Sequence, residues 1–176
     1  MNKEDKFVIT ISRQFGTGGH EIGAELARRL GVKLLDKQIL NEVASRMGIV
    51  EDAVEKIESR NPLWRDDFTN FYRTYMANAQ YDGMEQGETS HALFRAQCDA
   101  IRKIAEEESC VIVGRCGFDI FADHPIALKI FIHSSVDCRK RRIAEKYDIS
   151  EHDAAAMIVD NDYSRELYTK KFTGRD

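Results

Sequence analysis

Residues 7–31, FVITISRQFGTGGHEIGAELARRLG, decide how this chain is read. The run 8–11 is largely β-branched, the cluster Gly16, Gly18 and Gly19 interrupts it, and Ile22, Leu26, Ala27 and Leu30 then recur at helical spacing. Strand, glycine turn and helix follow one another without a spacer. A helix that starts directly after such a turn points bare backbone N–H groups at whatever occupies the turn, which favours an anion and above all phosphate. Glycines let the backbone close round phosphate oxygens. The residues expected to hold it are Ser12, Gly16, Thr17, Gly18, Gly19 and His20.

The stretch departs from the standard phosphate loop, G-x-x-x-x-G-K-[ST]. With Gly18 as the second glycine, the first glycine becomes Arg13, the lysine becomes Gly19 and the hydroxyl residue becomes His20. Three readings stand: a modified nucleotide loop, a plain glycine turn, and a dinucleotide-binding turn. The last needs a glycine at 21, where Glu21 stands, although Asp36 lies at about the ~20-residue spacing that such folds use for a ribose contact.

With 26 basic and 30 acidic side chains the 176-residue chain carries a net charge of −4. This balance argues against a general nucleic-acid or membrane-surface binder. The length suits one domain with a sizeable core. No apolar run approaches the ~18 residues of a membrane span, and the start of the chain has no secretory apolar segment. The cysteines at 98, 110, 116 and 138 match neither a zinc site nor a disulfide framework, which fits reduced thiols and a cytoplasmic location. His20-Glu21 opens like a zinc-protease motif but meets Ala24 where the second histidine belongs, so no metal ligand set is expected.

Further strands are expected at 32–35, 110–113 and 127–132, separated by helical stretches. The short, wholly apolar 110–113 run suits a strand buried on both faces. Helices are expected from Asp36 with a stop at Gly48, over 50–59, over the aromatic-rich 65–80, and over 89–108 after a loop at 81–87. Ser134 with Asp137 is expected to cap one further helix, and Ser150 with Asp153 another, running to about residue 172. Alternating strands and helices predict an α/β domain with a parallel sheet. Both glycine turns, 12–19 and 114–117, then fall at strand carboxyl ends, where such sheets bind ligands.

The segments ISRQFGTGG followed by EIG, then LLDKQIL, then VIVGRCG resemble the cytidylate kinase-like family, a branch of the phosphate-loop nucleoside monophosphate kinases. The resemblance spans nearly the whole chain. It implies a single phosphate-loop kinase-like domain over 1–176, with a helical acceptor-binding insertion at 36–86 and a lid at 134–176. It implies transfer of a phosphoryl group from ATP to a nucleoside monophosphate, CMP first. Arg115 and Asp36 would bind the acceptor, and Arg13, Arg139, Arg142 and Arg165 would serve transfer. Mg2+ is implied as well, although the loop hydroxyl that would hold it is absent. The alternative is a nucleotide or phosphate sensor that kept the fold without the chemistry, and after it a dinucleotide-binding protein. Simpler roles compete residue by residue: Lys140 and Arg141 as a solvated helix face, His20 as a cap or packing residue, Asp36 as a helix cap, and Phe68, Phe71, Tyr72 and Tyr75 as core. The family continues past Thr-Gly-x-x with another strand and a helix. Strand 127–132 is therefore expected at an edge, either open to a second chain in a homo-oligomer or covered by the 150–172 helix.

Overall fold

The computed structural model describes residues 6–36 and 85–175; the helices and aromatics expected within 37–84 lie outside the described residues. In chain order the elements are β1 (Val8–Arg13), α1 (Gly19–Leu30), β2 (Lys33–Leu35), α2 (Glu85–Glu107), β3 (Cys110–Val113), α3 (Gly117–Ile120), β4 (Ala127–Ile132), α4 (Val136–Tyr147) and α5 (Glu151–Thr173). The four strands form one parallel sheet in the order β2-β3-β1-β4.

Side chains on a strand alternate between faces, and two layers follow from that period. Ile9 and Ile11 of β1 with Val111 and Val113 of β3 meet Ala27 of α1. Val8, Cys110 and Ile112 face the other way, onto Leu35, Ile101 and Ala105 of α2 and Phe121. Ile11, Leu35, Ile101 and Ile112 are essentially inaccessible, and each such side chain contributes about 1.5–3 kcal/mol by leaving water. Gly23 brings α1 so near the sheet that a Cβ there would lie 2.5 Å from Val113 Cγ2. A third cluster joins Phe15, from the turn after β1, to Ile143 of α4 and Ala154 and Ile158 of α5.

Several expectations shift. Residues 85–87, expected within a loop at 81–87, belong to helix α2. The cap of α4 is Ser135, whose side chain accepts from the Cys138 amide at 3.3 Å; Ser134 lies one residue outside. The expected cap at Ser150 is present, with its oxygen accepting from the Asp153 amide at 3.1 Å. Strand β4 stands at the sheet edge with Leu128 and Phe131 57% and 61% exposed, so α5 does not cover it.

Candidate phosphate site

The register sets Ile11 opposite Val113 and Arg13 opposite Ile132, so the turns after β1 and β3 leave neighbouring strands side by side. In the first turn, Gly16 (φ 80°) and Gly18 (φ 74°) adopt left-handed backbone that other residues enter at a cost. The turn is fixed from below. Gln14 donates its amide to Ile132 O (3.0 Å) and accepts the Ser134 amide on its Oε1 (3.3 Å), while the Thr17 hydroxyl donates to Gln14 O (2.9 Å). Phe15 donates its amide to Asp162 Oδ1 (2.8 Å), and its carbonyl accepts from Arg139 Nη1 (3.2 Å). Arg139 also donates to Asp162 Oδ2 (2.5 Å). This three-part clasp ties the turn to α4 and α5.

The upper side of the turn is different. Among the described residues no hydrogen bond uses the amides of Gly16, Gly18 or Gly19, and Gly18 caps α1 without any side chain. These are the N–H groups that an anion takes up at a helix start.

Arg139 and Arg142, three apart on α4, part company. Arg139 is buried in the clasp, whereas Arg142 is exposed and its guanidinium lies over Gly18, 2.8 Å from where a Cβ would stand. No described carboxylate pairs with Arg142. Arg13 runs from one turn to the other. Its stem fills the space beside Gly19, its guanidinium the space beside Gly114, and its carbonyl accepts from Arg165 Nη1 at 3.4 Å. Lys140 pairs with Asp137 (2.9 Å) and Arg141 contacts Cys138 Sγ (3.6 Å), as a solvated face would.

At the start of α1, His20 Nε2 meets Asp36 Oδ2 at 3.0 Å, neither capping its own helix nor packing into the core. Glu21 meets Lys146 of α4 at 3.4 Å. Partial burial works to raise the Glu21 carboxyl, but its own amide, Lys146 and His20 outweigh it and hold the group below the usual range.

The second turn is strained: Gly114, Arg115 and Cys116 all have left-handed backbone, at φ 78°, 57° and 53°. Such residues cost on the order of 1–3 kcal/mol each outside glycine and persist where surroundings impose them. The surroundings here are α5. Tyr168 and Thr169 of α5 line the same cavity as Arg115 and Cys116. Arg175, past the end of α5, pairs with Asp119 at 2.8 Å. Burial pushes the Tyr168 hydroxyl up to about 12, and Arg115 pulls it back in part. Burial likewise lifts the Cys116 thiol to about 12.

Between the turns and α5 lies a cavity of about 640 Å³ lined by Arg13, Arg115, Arg165, Lys129, Glu166 and Phe131, among others. Cations outnumber acids on its wall. Sequence reasoning singled out Arg13, Arg115 and Arg165 but missed Asp162, Phe15, Glu166 and Tyr168. Asp162 and Arg165 stand three apart on α5, one turn from Tyr168, a spacing that marks one helix face; which surface that face meets is invisible in the sequence.

A parallel sheet with β1 between β3 and β4, carrying a glycine turn into α1, defines a phosphate-loop kinase-type α/β fold. The dinucleotide alternative fails on topology, because that fold sets its first two strands side by side and here β3 intervenes. The chain belongs to the cytidylate kinase-like family, whose model matches residues 8–176. An uncharacterized protein of Eubacterium ventriosum shares the fold at TM-score 0.68 with 26% identity, over 97% of this chain and 80% of that one. TT1252 of Thermus thermophilus is similar at TM-score 0.53 and 15% identity, over 95% and 86% of the two chains. No curated protein matches the sequence.

Proposed function

We propose that this protein is a nucleoside monophosphate kinase-like phosphotransferase, with ATP as donor and a nucleoside monophosphate, CMP first, as acceptor. One observation supports the reading: among the described residues the Gly16, Gly18 and Gly19 amides at the start of α1 have no hydrogen-bond partner, and the Arg142 guanidinium lies against Gly18 in the same turn. Donor phosphates accept from those amides and from Arg142, whose planar fork matches phosphate oxygens. The cavity under α5 is lined by Arg115 and Arg165, which would take an acceptor phosphate, while Asp36 pairs with His20 at the start of α1. An acceptor oxygen attacks the terminal phosphorus while the bond to the bridging oxygen breaks, and the diphosphate leaves with that oxygen's electrons. Such a reaction asks the protein for positioning and positive charge rather than for covalent chemistry. In this reading α4 and α5 form the lid side of the site and 36–86 the acceptor side.

The residues do not fit a standard Mg2+ site. His20 replaces the loop hydroxyl, the Asp36 carboxylate beside it is already engaged by His20, and no cluster of three ligating side chains exists among the described residues. No step is drawn through the metal.

The test is calorimetric titration with nucleoside mono- and triphosphates, with and without Mg2+, followed by a coupled transfer assay. Binding of both substrates with transfer supports the enzyme. Binding without transfer assigns the protein to phosphate sensing, and failure of any triphosphate to bind rejects the reading.

A further inference from the structure

We infer that Arg13 supplies, from the end of β1, the cation that a standard phosphate loop carries directly after its second glycine, and that Gly19 is glycine because the Arg13 stem occupies its side-chain position. A Cβ built on Gly19 would lie 2.8 Å from Arg13 Cγ and 2.9 Å from Arg13 Cβ, closer than side chains pack. A Cβ on Gly114 would overlap Arg13 Nη1. Gly114 is left-handed at φ 78° as well, but Gly19 lies in the helical range, so backbone freedom does not explain glycine there. The side chain thus runs across the mouth from the first turn to the second, held by glycine at each end. Its carbonyl is fixed by Arg165 and its register by the pairing of Arg13 with Ile132. Arginine in place of lysine brings a planar fork, which grips phosphate oxygens in pairs where an ammonium acts as a point. Arg13 and Gly19 are therefore one device: neither returns alone to the standard loop. The inference rests on the phosphate-loop reading above.

The experiment compares the parent chain with Gly19→Lys, Arg13→Met, Arg13→Gly and the double variant Arg13→Gly/Gly19→Lys, with ATP and pyrophosphate as probes in calorimetry. Gly19→Lys alone is expected to weaken ATP at least tenfold, although it restores the standard residue, because the new side chain and Arg13 compete for one space. Arg13→Met keeps the stem and removes the charge, and is expected to weaken ATP ten- to hundredfold with an unchanged melting temperature. In the double variant the stem and its Cβ are gone, lysine fits, and affinity is expected within about threefold of the parent. Tighter ATP binding by Gly19→Lys, or unchanged binding by Arg13→Met, overturns the inference.

A second cycle stands apart from nucleotide binding. Gly19→Ala is expected to lower the melting temperature in the parent and not in the Arg13→Gly background. Equal lowering in both removes the slot, whether or not the chain binds ATP. If the parent binds no triphosphate but this coupling holds, the phosphate-loop reading fails and the packing of Arg13 on Gly19 stands.

Discussion

Three arginines at the two glycine turns do three different things, and substitution separates them. Arg142 is exposed over Gly18 with no described acidic partner. We predict that Arg142→Ala weakens triphosphate binding by about 1.5–3 kcal/mol, the worth of a hydrogen bond to a charged group, with the thermal midpoint unmoved; titration calorimetry beside a melting curve checks both halves. Arg139 is only 5% exposed and its partner Asp162 is engaged with the turn. Arg139→Ala is predicted to cost about 2–3 kcal/mol of folding stability by urea titration, because it leaves a carboxylate without its counter-charge. A loss under about 0.5 kcal/mol, the range of ordinary surface changes, would mean that the clasp does not hold the turn. Arg115 lines the cavity together with Tyr168 beside the second turn. Arg115→Ala is predicted to weaken monophosphate binding by a similar 1.5–3 kcal/mol, and unchanged affinity would remove Arg115 from the acceptor site.

The buried titratable groups set an alkaline limit. Burial raises the Cys98 and Cys110 thiols to about 11, and the Cys116 thiol and Tyr168 hydroxyl to about 12, from ordinary values of 9.0 and 10.0. A raised folded value means that the unfolded chain loses its proton first. The contribution to stability is therefore whole below pH 9 and is lost as pH rises toward 11–12. By linkage, stability falls with pH in that window, by up to about 1.4 kcal/mol per pH unit for each group that ionises only on unfolding. Urea midpoints measured at pH 8, 9 and 10 should decline over the last step; a flat profile would show that these groups are not buried in solution.

At the scale of elements, α4 and α5 are held at both ends by local chemistry and aimed by tertiary contacts. Ser135 and Ser150 each accept an amide from the third residue of their helix. Replacing either with alanine is predicted to cost about 1 kcal/mol, whereas Ser134→Ala should cost a few tenths, since its side chain caps nothing. Chemical denaturation of the three single variants distinguishes the two neighbouring serines. Helix α5 bonds the first glycine turn through Asp162 and Arg165 and lines the cavity beside the second with Tyr168 and Thr169.

For the whole molecule, the open strand is the feature with consequences. Among the described residues no strand pairs with the outer side of β4, and Leu128 and Phe131 on it are exposed. Exposed apolar edges recruit other chains unless charge or cover prevents it. We predict that the 176-residue chain associates in a concentration-dependent way through this edge, and that Leu128→Lys with Phe131→Lys returns it to a monomer by light scattering. A parent chain that scatters as a monomer at every concentration would show that the twist of β4 and its own Lys129 suffice to keep partners away.

The strands and their parallel arrangement were legible because β1, β3 and β4 are short apolar runs separated by helical periodicity, and such runs have few places to go but a covered sheet. The glycine turn was legible because its composition departs so far from either flanking element. Sequence also placed Arg13 and Arg115 among the functional candidates from charge beside glycine, and the family resemblance added Arg139, Arg142 and Arg165. It could not say which of them faces solvent. Arg139 and Arg142 sit three apart on one helix, but α4 packs on Phe15 with its axis so turned that one is buried and the other overhangs Gly18. Nor could it say why Gly19 replaces the lysine, because the reason is a side chain six residues earlier that returns across the mouth. Local pattern fixes which residues form an element. The close approach of two elements fixes which side chain fills a given space, and that depends on distances no one-dimensional spacing contains.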